Sequence, residues 1–170
     1  MLTLFQGTGI ARILSSPKHG NLAVALLARR PESIQSVIST IRKDSADAVL
    51  EAFPSDTSKA SIEKAFQDIK SHKSFEGLKA EITIYSVKHS SKKPFLEETR
   101  EEFEGSLEEY VGGAFTFAQE SIKRFYADHG EKALADGGEK KGVSTRFKQT
   151  NARLTLPDSH LHRHTRRTTM

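Results

Sequence analysis

Two glycines between two short apolar runs constrain this chain more than any other feature in it. Leu2-Thr3-Leu4-Phe5 leads into Gln6-Gly7-Thr8-Gly9-Ile10-Ala11-Arg12. Leu22-Ala23-Val24-Ala25-Leu26-Leu27 follows and ends in Ala28-Arg29-Arg30. A strand, a glycine turn that opens a helix, and a second strand make a βαβ unit. Gly7 and Gly9 let backbone N–H groups approach an anion, and the helix N-terminus adds partial positive charge. That layout suits a dinucleotide, with the pyrophosphate on the turn and the second-strand tip at the adenosine ribose. An acidic tip would take the 2′-hydroxyl of NAD. Arg29 and Arg30 at the tip fit the 2′-phosphate of NADP. The loop has two glycines rather than three, with Ala11 at the last position. Two glycines also mark ordinary turns, so the plain loop reading stays open at this point.

The rest of the first 142 residues repeats the alternation. Pro31 and Glu32 suit a helix start, and Ile34, Val37, Ile38 and Ile41 form one apolar stripe, which predicts a helix over about 31–43. Residues 48–53 read as a third strand, ended by Pro54. Ser55-Asp56-Thr57-Ser58 starts a helix over about 58–71, striped by Ile62, Ala65, Phe66 and Ile69. Residues 82–86 read as a fourth strand. Thr99 with Glu102 is a capping box, and apolar residues at helical spacing run from Phe103 to Phe125, which predicts one long helix over about 99–126. Strand–helix alternation of this kind predicts an α/β fold: a doubly wound parallel sheet, Rossmann-like, in the order 3-2-1-4, ending after about four strand–helix units.

Charge separates two regions. Residues 1–142 carry 20 Lys/Arg and 21 Asp/Glu, a net −1. Residues 143–170 carry six Lys/Arg and one acid, a net +5. The basic character therefore belongs to the last 28 residues, and the body has no bias toward nucleic acid. The domain reading is an incomplete dinucleotide-binding domain over 1–142 and a basic, disordered tail over 143–170. The chain has no cysteine, so disulfides and thiol chemistry are excluded. It has no run of 18 apolar residues and no signal-peptide core. A cytoplasmic protein without a membrane span is expected.

With this order of elements the chain resembles a short-chain dehydrogenase/reductase over about residues 2–142. Gly7-Thr8-Gly9-Ile10-Ala11-Arg12 resembles the end of that family's glycine loop, with Phe5 where the first glycine would be. Leu26 to Glu32 resembles the second-strand tip of its NADP-preferring members. Asp56-Thr57 resembles the pair that touches the adenine, and Val111-Gly112-Gly113-Ala114-Phe115 the fourth-helix segment, with Tyr110 at the position of the catalytic asparagine. The resemblance implies an NADP-binding oxidoreductase fold whose cofactor-binding residues are Gly7, Thr8, Gly9, Ile10, Arg29, Arg30, Asp56 and Thr57.

The departures bear on catalysis. Ser86-Val87-Lys88 replaces the family's Asn-Ala-Gly triplet. The three tyrosines are followed four residues later by His89, Ala114 and Gly130, so no Tyr-x-x-x-Lys pair exists. That tyrosine donates the proton and the lysine lowers its pKa. The resemblance therefore implies a truncated, catalytically inactive chain with no catalytic residues of its own. The similarity stops at Gly142, which suggests a shifted reading frame or an alternative final exon.

Each candidate has a plainer reading. Arg29 and Arg30 could be a solvated turn, although phosphate contact is favoured. Asp56 could cap the following helix, contact adenine, or do both. Tyr110 reads as a core or helix-face residue, and Ser86 and Lys88 as loop polarity. His160, His162 and His164 invite a metal reading, but four ligands at defined geometry are wanting. The alternative function is a non-enzymatic interaction protein that pairs with a full-length relative or another partner. A missing fifth strand would leave the fourth as an edge, and Phe103, Phe115 and Phe117 would show an apolar surface. A homo- or hetero-oligomer is therefore expected.

Overall fold

The computed structural model describes residues 2–4, 8–87 and 93–130. The expectations for Phe5, Gly7, Lys88, the three tail histidines, the 142/143 boundary and a fifth strand lie outside the described residues.

Four parallel strands form the sheet: β1 (Leu2–Leu4), β2 (Val24–Ala28), β3 (Leu50–Pro54) and β4 (Thr83–Tyr85). Their order is β3-β2-β1-β4, as the alternation predicts. Leu4 pairs with Leu27 on one side and Tyr85 on the other, and Leu27 pairs with Phe53. This register brings the C-terminal ends of all four strands to one edge. All five residues of β2 are buried, which explains its unbroken apolar run: it is central and covered on both faces. Pro54, which cannot donate to a ladder, ends β3, paired with β2 alone among the described strands.

Successive side chains of β2 go to opposite faces. Val24, Leu26 and Ala28 pack with Ala11 of α1 (Thr8–Ser15) and with Ile34, Ile38 and Ile41 of α2 (Pro31–Asp44). Ala25 and Leu27 pack with Ile62, Phe66 and Ile69 of α3 (Lys59–Ser71), together with Phe117 further along the chain. Ala11 is fully buried against the sheet. The small residue at the third position of the glycine turn thus serves close helix–strand packing, where alanine suffices.

The turn after α1 depends on Gly20. A Cβ there would lie 2.4 Å from the Leu14 carbonyl oxygen and 2.6 Å from its Cα, so the backbone admits no side chain. At α3, the Ser58 hydroxyl accepts from the Ser61 N–H. At α4 (Arg100–Leu107), Thr99 and Glu102 form the expected capping box: Glu102 N–H donates to Thr99 Oγ1 at 3.3 Å and Thr99 N–H to Glu102 Oε2 at 2.9 Å.

The long fourth helix corrects the sequence reading in two ways. It is not one uniform helix: α4 passes through a π turn (Glu108–Gly112) into α5 (Gly113–His129). Tyr85 supplies the cause. Its hydroxyl donates to the Glu109 carbonyl at 2.7 Å, and the Gly113 N–H, the usual partner of that carbonyl, bonds to Glu108 instead. The second correction is Phe117. It is 1% exposed and not part of an apolar surface, because Gly113, Ala114, Phe117, Ser121 and Phe125 share the buried face of α5. Its ring centroid lies 5.5 Å from those of Phe66 and Tyr85. Phe103 and Phe115 are exposed, as expected. β4 ends the sheet among the described strands, as expected, with Tyr85 buried and Ile82 and Ile84 half-buried.

The Tyr85 hydrogen bond has a measurable signature. Burial, then the neighbouring Glu109 and Tyr110, push the phenol up from its ordinary 10.0 to about 12. A phenol held protonated in the fold contributes its full stabilisation below pH 10 and loses it as pH rises toward 12. Tyr85→Phe should cost about 1 kcal/mol at neutral pH. It should also flatten the alkaline limb of stability between pH 10 and 12 by up to about 2–3 kcal/mol. Urea denaturation of both proteins across that window checks this; parallel alkaline limbs would refute it.

Candidate functional site

The C-terminal edge of the sheet gathers the residues singled out by sequence. α1 starts directly after β1, with Thr8, Gly9 and Ile10 all exposed in its first turn. The N–H groups of that turn have no intrahelical acceptor. A Cβ on Gly9 would meet no atom within 4 Å, so no contact among the described residues requires glycine there. Gly7 lies outside the described residues.

Arg29 and Arg30 follow β2 and are exposed. Neither guanidinium forms a hydrogen bond or ion pair among the described residues. Arg30 occupies the N-cap position of α2 with extended backbone (φ −116°, ψ 107°) and no side-chain cap, and Pro31 follows it. The first-turn N–H groups of α2 therefore stay open beside two cations. The Ser33 hydroxyl turns away from them and donates to the Arg30 carbonyl at 2.7 Å.

Asp56 lies next along the edge, since the Ser55 N–H donates to the Ala28 carbonyl at 3.0 Å and ties the two loops together. The Asp56 carboxylate accepts from the Ser58 N–H at 2.8 Å, and the Asp56 N–H donates to Ser61 Oγ at 3.1 Å. Hydrogen bonds from Ser58 above all, with Ser61 and the charge of Arg29 adding to them, hold the carboxyl below its ordinary range. Asp56 thus buttresses the start of α3, while Ser58 is the cap itself. Thr57 is half-buried, and its Cβ and carbonyl stand beside Gly113.

The structure thus brings Thr8, Gly9, Ile10, Arg29, Arg30, Asp56 and Thr57 to one edge, and Tyr85 and the π turn close that edge on the β4 side. Sequence reasoning missed the contact of Tyr85 with Glu109 and Gly113. Its signal was the pair Gly112-Gly113 inside a helical pattern, where glycine is unfavourable unless something approaches closely. Ser86 and Tyr110 are half-buried at the same edge.

Two cavities lie at the other end of the sheet. One of about 240 Å³ is lined by Leu22, Ile69, Phe75, Leu78 and Arg124. Another of about 510 Å³ lies between Arg12, Lys18, His19 and Asp44. Arg124 is committed to the fold, with Nε 2.6 Å from Asp128, which also accepts from the Ala80 N–H at 2.7 Å. Among the described residues no cluster of three or more His, Asp or Glu could hold a metal, and no helix is long and apolar enough to cross a membrane.

No family model matches the sequence, and no curated protein matches it. Solved structures do match. A short-chain dehydrogenase/reductase from Serratia marcescens superimposes with a TM-score of 0.58 at 18% identity, over 72% of this chain and 49% of that one. The L-sorbose reductase from Gluconobacter frateurii, complexed with NADPH and L-sorbose, gives 0.59 at 15% identity, over 74% and 48%. YwfH, an NADPH-dependent reductase involved in bacilysin biosynthesis, gives 0.60 at 14% identity, over 74% and 53%. The chain spans about half the length of these structures. The chain has the α/β fold of the short-chain dehydrogenase/reductases, carried here by a β3-β2-β1-β4 sheet with helices on both faces.

Proposed function

We propose that this chain binds a nicotinamide dinucleotide at the C-terminal edge of its sheet, prefers NADP(H) to NAD(H), and does not itself turn over a carbonyl or alcohol. The carrying observation is the pair Arg29 and Arg30, exposed and in no hydrogen bond or ion pair of their guanidiniums among the described residues, beside an uncapped helix start. Two guanidiniums and open N–H groups favour a phosphate over a hydroxyl. The pyrophosphate would rest on Thr8 and Gly9 at the start of α1, where a Cβ position stands open. Asp56 and Thr57 would border the adenine. When bound, the nicotinamide would supply hydride chemistry. This sequence has no Tyr-x-x-x-Lys pair to supply the proton. The NADPH named for two of the structural neighbours agrees with the cofactor class.

Gly9→Ala tests the pyrophosphate contact without disturbing the fold. The new methyl meets nothing within 4 Å, so stability should stay level or rise by about 0.5–1 kcal/mol. NADPH affinity should fall at least roughly tenfold, because the methyl occupies the space of backbone approach. Calorimetric titration with thermal denaturation on the same samples separates the two effects. An alanine variant that binds as tightly as the original chain would remove the loop from the site.

A further inference from the structure

None of the eight residues of α4 is buried. Phe95 is 87% exposed and Leu96 94%, and Phe103 and Leu107 continue the apolar surface along α4. Glutamates surround them. Residues 93–112 carry seven Glu against Lys93 and Arg100, a net −5. Lys93 pairs with Glu102 and Arg100 with Glu104. Glu97, Glu98 and Glu101 make no ion pair among the described residues.

The face is both apolar and strongly acidic, so its electrostatic complement is a basic one. It selects for a segment that is basic and carries spaced apolar residues. Residues 143–170 have that character: Arg146, Lys148, Arg153, Arg163, Arg166 and Arg167 against Asp158, a net +5, with Phe147, Leu154 and Leu156 among them. Reach permits the contact. α4, the π turn and α5 span 30 residues, about 45 Å. Residues 131–142 cover up to about 40 Å when extended, and 28 further residues follow. We propose that the basic segment 143–170 docks on the acidic, apolar face of α4 in the same molecule. Docking would bury Phe95, Leu96, Phe103 and Leu107 and neutralise the glutamates around them.

The test uses the full chain and a variant with Arg146, Arg153, Arg163, Arg166 and Arg167 changed to Gln. All five positions lie outside the described residues, and the region 31–71, far from α4 in sequence, serves as the internal control. Amide exchange should be roughly tenfold faster over 100–111 in the variant and unchanged over 31–71. Carbodiimide cross-linking of the unaltered chain should join Lys148 to Glu97, Glu98 or Glu101. In a mixture of ¹⁴N- and ¹⁵N-labelled protein these cross-links should stay within one isotope. Equal exchange over 100–111 in the two proteins would overturn the proposal. So would cross-links of mixed isotope, which would give the face to a second copy, or the absence of any Lys148 cross-link.

Discussion

Changing Arg29 and Arg30 together to Asp should lower NADPH affinity by roughly 100-fold, about 3 kcal/mol, and leave NADH affinity within a few-fold. Each guanidinium that bonds a phosphate contributes a charge-assisted hydrogen bond worth about 1.5–3 kcal/mol. The exposure of the site reduces that value by solvent screening. Reversal also places two carboxylates where the phosphate would lie, beside Asp56, which is already anionic. Neither arginine supports the fold through an ion pair among the described residues, so the variant should melt with the original protein. Titration calorimetry with both nucleotides, with melting as a control, checks this. A parallel loss for NADPH and NADH would move the 2′-phosphate away from this tip.

Gly113→Ala should destabilise the protein by about 1–3 kcal/mol. A Cβ there would lie 2.6 Å from the Tyr85 hydroxyl oxygen, 2.9 Å from Thr57 Cβ and 3.1 Å from the Thr57 carbonyl oxygen. Tyr85 cannot yield cheaply. Its ring is packed on Phe117 and its hydroxyl holds the Glu109 carbonyl. The helix gains up to about 1 kcal/mol from alanine, which offsets only part of the clash. Gly105 supplies the control: a Cβ there meets nothing within 4 Å, so Gly105→Ala should stabilise. Urea unfolding of both variants distinguishes them. Stabilisation by both would mean that α5 does not approach β4 and the α3 loop closely.

The parts of the fold that were legible in the sequence are those set by local pattern. Alternating strands and helices gave the sheet order, Pro31 marked the start of α2, and Thr99 with Glu102 marked that of α4. The unbroken apolar run of β2 announced a central strand, because only burial on both faces removes the alternation. What local pattern could not carry was phase and long-range contact. Phe115 and Phe117 are two residues apart on one helix, and only the position of the sheet decides that the second is core and the first is not. The π turn depends on Tyr85, more than twenty residues upstream. The candidate site divides the same way. Arg29 and Arg30 were readable as a strand tip. The buttressing of α3 by Asp56 and the packing of Thr57 on Gly113 needed three dimensions.

The most direct test of the central claim is titration of the unaltered full chain with NADPH and NADH at low ionic strength, where exposed charges act most strongly. Two exposed guanidiniums at the tip of β2 should make NADPH bind at least roughly tenfold more tightly than NADH. Equal affinity for the two nucleotides, or no binding of either at millimolar concentration, would contradict it.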